Sequence, residues 1–541
     1  MTTSPSHPPR SETTRRLLVG LAGSVLLLLL WQLGVDYVYS GRGTIPGPLQ
    51  IAHQFRSDGI EFYLASAVPT LRTALQGWLG GNLLAVALAL AVVGLPALEK
   101  PVMQLGAVSY CVPIVAIGPV LIVLFNGGTP QMILSGLSVF FITLVGTLTG
   151  LRSADSALLD SIHAFGGGPM AKLVEARCRA CLPYLFAALR VTAPASILGS
   201  IVGEFMGAER GLGVVWINSQ QAMNYPRTWA LAVFTAAVAS LAYLLIGLVG
   251  HHFTPWARET HSNLAGETLE RSAPRWGTGS LAVALQVLLS AAASLVIVLL
   301  AWAVLLKAFH VSPFIGKGPA DVWAYVFDPD SGHENRAALV AESVISLRDA
   351  FLGLGAGTAA ALLVASLFNI VPTVRQMFMG PAITLQSVPL VAMTPLIVLV
   401  FGRDLLAIAV IGGIVTFFPT LVNLTLALDR TPRDAIDLMR VFGASRLDTL
   451  RNVQVPNALP ALFASLRVAS PLAITGAMLA EWLATGSGLG FSIASDVATS
   501  DYAALWTRVA VATLFSLLLY QGIGYVEQLT MARILEVRRG P

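Results

Sequence analysis

The chain has 541 residues, of which 55% are hydrophobic and 11% charged, with a mean hydropathy of +0.74 and a formal net charge of +4. Soluble domains carry about 25% charged residues, so this composition excludes a soluble enzyme or binding module and identifies an integral membrane protein. The basic residues are dispersed along the chain, which excludes a nucleic-acid surface.

A helix needs about 20 apolar residues to cross a bilayer, and the first such block lies at 17–34. It is too long for a signal-peptide core and no small-residue cleavage site follows, so it is expected to stay as a span. Further blocks follow at 70–96, 103–125, 131–151, 183–206 and 227–250, and a second series lies at 279–307, 346–370, 376–401, 405–427, 460–483 and 503–527. The expected organisation is a first unit at 1–250, a polar linker at 251–278 rich in turn formers, and a second unit at 279–541, with six spans in each unit. Arg10, Arg15 and Arg16 precede the first span, Arg258, Arg271 and Arg275 fall in the linker, and Arg533, Arg538 and Arg539 close the chain. The positive-inside bias therefore predicts that both termini and the linker are cytoplasmic.

The second series repeats the first. VPIVAIGPVLIVLF at 112–125 matches VPLVAMTPLIVLVF at 388–401, and LPYLFAALRV at 182–191 matches LPALFASLRV at 459–468, so the register between copies shifts by a single position along the way. Residues 182–213 carry 15 identities in 32 against their counterparts, with Pro, Arg, Glu and Gly in register, which apolar bias cannot produce. This is an internal duplication. An even number of spans separates the copies, so both have one orientation and a pseudo-two-fold axis along the membrane normal is expected between them.

Several residues repeat in register. Pro113, Pro119, Pro389 and Pro395 are expected to kink or unwind the third spans, which with the fifth should line a path. Pro183 and Pro460 suit the first turn of the fifth spans. From Pro460 to Glu481 is about 31 Å of helix, so Glu481 and its counterpart Glu204 are expected at the outer interface, as a gate or as solvated helix ends. Arg190 and Arg467 are expected to snorkel to headgroups. Arg72 and Arg348, at the starts of the second spans, either attract an anionic solute or form structural ion pairs. Cys178 and Cys181 form a C-x-x-C with no second pair, so no metal site is assigned, and no catalytic residue is expected.

Before each copy of the LP-x-LFA phrase lies a polar segment. The second reads DAIDLMRVFGASRLDTLRNVQVPNALP at 434–460, with an apolar side formed by Ile436, Met439, Val441, Phe442, Leu447, Leu450 and Val453, and Gly443 is expected to break it into two short helices. This segment resembles the cytoplasmic coupling loop of bacterial ATP-binding-cassette importer permeases, whose pattern is E-A-A, three residues, Gly, nine residues, Ile-x-Leu-Pro. Asp437, Leu438 and Met439 stand at the E-A-A positions, Gly443 at the glycine, and Val453, Val455 and Pro456 at the Ile-x-Leu-Pro. In the first copy Asp160 and Gly166 are retained, but Ala176, Cys178 and Arg179 replace Ile, Leu and Pro. The proline-bearing third span, the FFPT at 417–420, the LP-x-LFA-x-LRV to Glu to GLG run and the TIPGP at 44–48 are similar to the nitrate, sulfonate and taurine branch.

The resemblance covers nearly all of both halves. It implies an all-α type I importer permease fold of about 12 transmembrane helices in two parallel six-helix repeats, with two permease copies fused so that no second permease chain is needed. It implies coupling loops at about 155–182 and 430–459, two cytoplasmic ATPase subunits holding Mg-ATP, an external solute-binding protein, and a bacterial inner-membrane location. The departures at Ala176, Cys178 and Arg179 imply either a weaker grip of the first loop on an ATPase or unequal use of the two loops. No G-x-x-x-x-G-K-[ST] loop occurs, so this chain is not expected to bind ATP. The implied solute is a small organic or inorganic anion. The alternative is an ion-coupled secondary transporter, which also uses parallel repeats but leaves the paired Gly-broken loops unexplained. A membrane enzyme would need a His or carboxylate cluster inside the spans.

Overall fold

The computed structural model describes residues 10–37, 45–256, 280–386 and 390–538, and every regular element among them is helical. In the first half the elements are α1 (Arg10–Tyr37), α2 (Pro48–Asp58), α3 (Ile60–Gly94), α4 (Glu99–Cys111), α5 (Ile114–Leu124), α6 (Thr129–Arg152), α7 (Ser156–Ala164), α8 (Pro169–Gly207), α9 (Leu212–Gln221) and α10 (Tyr225–Phe253). In the second half they are α11 (Ser280–Ala308), α12 (Pro319–Phe327), α13 (Gly332–Ile370), α14 (Pro372–Leu385), α15 (Leu390–Phe401), α16 (Leu405–Asp429), α17 (Arg433–Val441), α18 (Arg446–Thr485), α19 (Leu489–Thr499) and α20 (Tyr502–Arg538). Each helix of the first half therefore has a counterpart ten elements later. The starts of α7 and α17, α9 and α19, and α10 and α20 are 156 and 433, 212 and 489, and 225 and 502. Among the described residues, nine helices are long and apolar enough to cross a membrane, and a bent pair makes a tenth.

Lipid supplies no hydrophobic drive between spans, so close backbone packing has to hold them together. The central crossing in each half uses a Gly-x-x-x-Gly stripe: Gly77 and Gly81 of α3 lie on Ser135 and Gly136 of α6, and Gly353 and Gly357 of α13 lie on Gly412 and Gly413 of α16. A Cβ on Gly77 would sit 2.3 Å from the Met132 carbonyl oxygen, and one on Gly357 would sit 2.4 Å from that of Gly413. α8 and α18 complete the crossing, where a Cβ on Gly199 would meet the Leu134 oxygen at 2.9 Å.

The first helix of each half reaches across to the other. Gly23 of α1 lies against Met377 of α14, while Trp31 packs on Trp229 of its own α10 at 5.2 Å between ring centroids. In the same manner Phe309, just past α11, meets Phe125 of the first half edge-on at 5.8 Å, and Trp302 stacks on Trp506 of α20 at 5.2 Å. Trp229 and Trp506 hold equivalent positions in the two repeats, each four residues into its α10 or α20. One hydrophobic core runs through both halves, joining Val115, Ala116 and Val120 of α5 to Val391 of α15 and Ile474 and Met478 of α18.

The break expected at Pro113 is present and sharp: the apolar block at 103–125 is two helices, α4 and α5, meeting at 93°. Val112 takes extended backbone before Pro113, as residues before proline do, and Pro113 then caps α5, its carbonyl accepting from the amides of Ala116 and Ile117. Two other expectations need correction. The fifth spans do not start at Pro183 and Pro460. They start at Pro169 and Arg446, so these prolines sit inside long helices, downstream of π-helical turns at Lys172–Arg177 and Leu450–Gln454. For the same reason Gly443 does not separate two short helices: it joins the nine-residue α17 to the start of the 40-residue α18. The linker residues 257–279, with Arg258, Arg271 and Arg275, and also Pro389 lie outside the described residues.

Gly357→Leu is expected to force α13 from α16, at a cost of about 1–3 kcal/mol for overpacking, and to lower the unfolding temperature of the detergent-solubilised protein. Gly355→Ala, which has open space around its Cβ position, should leave it unchanged. Equal unfolding temperatures for the two variants would rule out the close crossing.

Candidate functional site

On one face of the bundle, two short helices end in the same way. The Gly166 amide donates to the His163 carbonyl at 3.0 Å and that of Gly167 to Ile162 at 2.8 Å; the Gly443 amide donates to Arg440 at 2.9 Å and that of Ala444 to Met439 at 3.0 Å. Both glycines are left-handed, with φ of +82° and +73°. These paired bonds form a Schellman C-cap, which satisfies the last carbonyls and requires positive φ. The turns present large apolar side chains to solvent, Phe165 and Met170 in the first and Val441, Phe442 and Leu447 in the second. The expected apolar side of the second segment is therefore only partly turned inward: Leu450 is buried and Val453 half-buried, while Val441, Phe442 and Leu447 stand free.

The two turns differ in stiffness. Ser445 and Asp448 form a capping box at the start of α18, with the Ser445 amide donating to Asp448 Oδ2 at 3.0 Å and the Asp448 amide to Ser445 Oγ at 3.2 Å. Arg446 Nη1 also donates to the Ile370 carbonyl at 3.0 Å, fastening this turn to the end of α13. The first half has Gly168 where Ser445 stands, with no side-chain cap. Asp437 pairs with Arg440 at 2.9 Å, Asp160 is exposed, and Pro456 is exposed in the first turn after the π segment. Ala176, Cys178 and Arg179 lie beyond the first turn, in the π segment at Lys172–Arg177 and the helix that follows it.

At the other end of α8 and α18 each half holds a buried carboxylate. Glu204 is 3% exposed and Glu481 is fully buried. Glu204 Oε2 accepts from the Gly213 amide at 2.7 Å, and the Leu212 amide donates to Thr70 Oγ1 at 2.9 Å. Glu481 Oε2 accepts from the Gly490 amide at 2.7 Å and from Ser346 Oγ at 2.9 Å, while the Leu489 amide donates to Ser346 Oγ at 3.0 Å. The carboxylate and the hydroxyl thus take up the leading amides of α9 or α19, the natural seat for negative charge at a helix N-terminus. The glycines of each GLG exist for contact: a Cβ on Gly211 would lie 2.3 Å from Glu204 Cδ, and one on Gly488 would lie 2.5 Å from Glu481 Cδ. Glu204 and Glu481 are accordingly not solvated helix ends but buried, hydrogen-bonded carboxylates. They clamp the second, fifth and following helices together. Thr70 and Ser346 escaped the sequence reading, although TLRTALQGWLG at 70–80 aligns with SLRDAFLGLGA at 346–356 and places them as polar residues in register.

Of the other paired positions, the arginines of the fifth spans behave alike and those of the second spans separate. Arg190 lies over the Tyr243 ring at 4.0 Å and Arg467 over Tyr520 at 4.4 Å, so both fold onto an aromatic face instead of reaching headgroups. Arg348 pairs with its neighbour Asp349 at 2.8 Å, whereas Arg72 is exposed and lines a pocket beside the start of α6. Pro113 is buried in the α4–α5 bend; Pro119 and Pro395 lie within α5 and α15, which touch the opposite half at the centre of the shared core. Outside the spans, Asp58 of α2 binds Arg227 Nε at 3.0 Å and Tyr63 Oη at 2.9 Å. Burial acts to raise its pKa, but hydrogen bonds from Arg227, Gln54 and Tyr63 outweigh that and hold the carboxyl below its ordinary range. The second half uses another ion cluster, Arg508 with Glu342 at 2.7 Å and Asp496 at 2.6 Å. The thiol of Cys181 is buried and donates to the Thr147 carbonyl at 3.4 Å.

Glu481→Ala leaves the Gly490 amide and the Ser346 hydroxyl buried without their acceptor, at about 1–3 kcal/mol. The expected result is a lower unfolding temperature in detergent, with Glu481→Gln, which keeps one acceptor oxygen, falling between Ala and wild type. No difference between Ala and wild type would exclude the clamp.

The chain matches the family described as binding-protein-dependent transport system inner membrane component, twice, at residues 63–259 and 353–526. Among curated relatives, a riboflavin transport system permease protein from Chloroflexus aurantiacus is 37% identical over 144 residues, 27% of this chain and 54% of the relative. A probable ABC transporter permease protein from Haemophilus influenzae is 26% identical over 239 residues, 44% of this chain and 97% of the relative. A nitrate import permease protein from Synechococcus elongatus is 26% identical over 182 residues, 32% of this chain and 63% of the relative. The matched stretch thus spans about half of the riboflavin relative. No solved structure matches the chain. With the family matched over more than half of its length and the helices repeated ten by ten, the chain belongs to the binding-protein-dependent transport inner membrane components and carries that unit twice.

Proposed function

We propose that this chain is the transmembrane part of an ATP-driven importer, in which two permease units fused in one polypeptide pass a small solute inward by alternating access. The observation that carries this reading is the pair of Schellman-capped turns at Gly166 and Gly443, on one face and at equivalent positions of the two repeats, each offering exposed apolar side chains to a partner. Two copies of one ATPase, closing on Mg-ATP about a two-fold axis, find on this face two similar docking points. Closure of the ATPases presses on α7 and α17, and the rigid α8 and α18 carry the push to the clamps at Glu204 and Glu481. The two units then rock about the shared core of α5 and α15, which is a bistable rigid-body change. The face with the turns and both termini are cytoplasmic in this reading, and the membrane is the bacterial inner membrane. An external binding protein delivers the solute to the opposite face. We assign the solute to small organic or inorganic anions of the sulfonate, nitrate or carboxylate class.

The reading is tested by purifying the chain from its own host in mild detergent and measuring native mass and ATPase activity. One copy of the chain with two nucleotidase subunits, active with Mg-ATP, is the expected result. A lone chain that drives uptake in vesicles on a proton or sodium gradient without ATP would replace it with the ion-coupled alternative.

Because the capping box and Arg446 stiffen the second turn, Gly443→Asp is expected to reduce ATP-dependent uptake more than Gly166→Asp, by a factor of several. Equal uptake by the two variants would show that the turns contribute alike.

A further inference from the structure

The two halves treat one arginine position differently. In the second half Arg348 is neutralised by Asp349 at 2.8 Å. In the first half the same positions are Arg72 and Thr73, and Arg72 makes no ion pair among the described residues. Instead it lines an open pocket of about 490 Å³ with Gln76, Thr73, Thr129, Val68 and Met132. Thr129 is the first residue of the 24-residue α6; Pro130 follows it and has no N–H, so the amides of Thr129 and Gln131 are the leading donors without an intrahelical acceptor, and they favour negative charge.

The depth of the pocket follows from the lengths of its two walls. From Arg72 to the end of α3 at Gly94 is 22 residues, about 33 Å, and from Thr129 to the end of α6 at Arg152 is 23 residues, about 35 Å. Both are close to the hydrocarbon thickness of about 30 Å. Arg152 pairs with Glu99 at 2.6 Å at the far end, where both side chains are partly exposed. The pocket therefore lies at headgroup level in the leaflet opposite the Gly166 and Gly443 turns. Its lateral wall is also informative: Leu75, Leu79 and Leu83 are exposed and follow Arg72 at intervals of three to four residues, so they line the same side of α3. An apolar stripe running from a cation toward mid-membrane suits an acyl chain below a phosphate.

We propose that Arg72, Gln76 and the first turn of α6 form an oxyanion site that holds the phosphate of one phospholipid, with an acyl chain along Leu75, Leu79 and Leu83. Guanidinium and phosphate oxygens pair bidentately, and no equivalent site forms in the second half because Asp349 occupies its arginine. The proposal requires only that the chain spans a bilayer and is independent of the transport reading.

The test is native mass spectrometry of the purified full chain titrated with dioleoylphosphatidylglycerol, with dioleoylglycerol as the phosphate-free control. Wild type and Arg348→Gln are expected to retain one tightly held phosphatidylglycerol and no dioleoylglycerol, and Arg72→Gln to bind it at least tenfold more weakly. Thr73→Asp, which installs the acid of the second half, is expected to reproduce the Arg72→Gln loss while keeping the arginine. Retention by Thr73→Asp or Arg72→Gln equal to wild type would overturn the site. Calorimetry with inorganic phosphate and methanesulfonate separates the source: Arg72-dependent binding of these ions without lipid retention would overturn the lipid assignment in favour of a free solute anion.

Discussion

Everything in this bundle rests on how closely α3 approaches α6 and α13 approaches α16. Spans in a bilayer gain little from apolar burial against one another, and their association depends on van der Waals contact over backbone brought close by small residues. At Gly77, Gly81, Gly353 and Gly357 no Cβ fits. That approach brings Thr70 and Ser346 within reach of the ends of α8 and α18, without which the buried glutamates would lack their partners. A loosened crossing thus releases the far end of each unit as well.

The same requirement, that backbone polar groups inside the membrane find partners within the protein, explains the residues that repeat in register. Glu204 and Glu481 are carboxylates in a setting where charge is expensive, and they persist because each accepts from helix-start amides or a hydroxyl that would otherwise be orphaned. The glycines of GLG are the steric counterpart, since any larger residue would displace the carboxylate. Arg190 and Arg467 answer a similar need by lying over Tyr243 and Tyr520.

Symmetry and its failures divide along functional lines. The core crossings, the clamps, the arginine–tyrosine pairs and the Trp31–Trp229 and Trp302–Trp506 contacts occur twice. Among the described residues, the capping box at Ser445, the Asp58–Arg227 pair, the Arg508 cluster and the free Arg72 occur once. The doubled features lie within the bundle, where both units must pack alike. The single ones lie at the turn face or at the opposite end, where each unit meets different surroundings.

The sequence alone determined the membrane class, the duplication and the positions of the turns. Hydropathy, a near-constant register between the copies and a glycine at the same place in each are one-dimensional signals that a bilayer and a helix C-cap translate directly into structure. Tertiary structure decided where helices begin and what paired residues do. Pro183 and Pro460 read as helix starts because proline suits a first turn, yet π turns upstream let the helices run through them. The block at 103–125 read as one kinked span because its apolar length matches a bilayer, and only the packing of α5 into the shared core shows a 93° break. Glu204 and Glu481 read as solvated because charge avoids hydrocarbon. Their burial depends on the Thr70 and Ser346 hydroxyls of the adjacent α3 and α13, and on the leading amides of α9 and α19, contacts that exist only once α3 and α13 have closed on their neighbours.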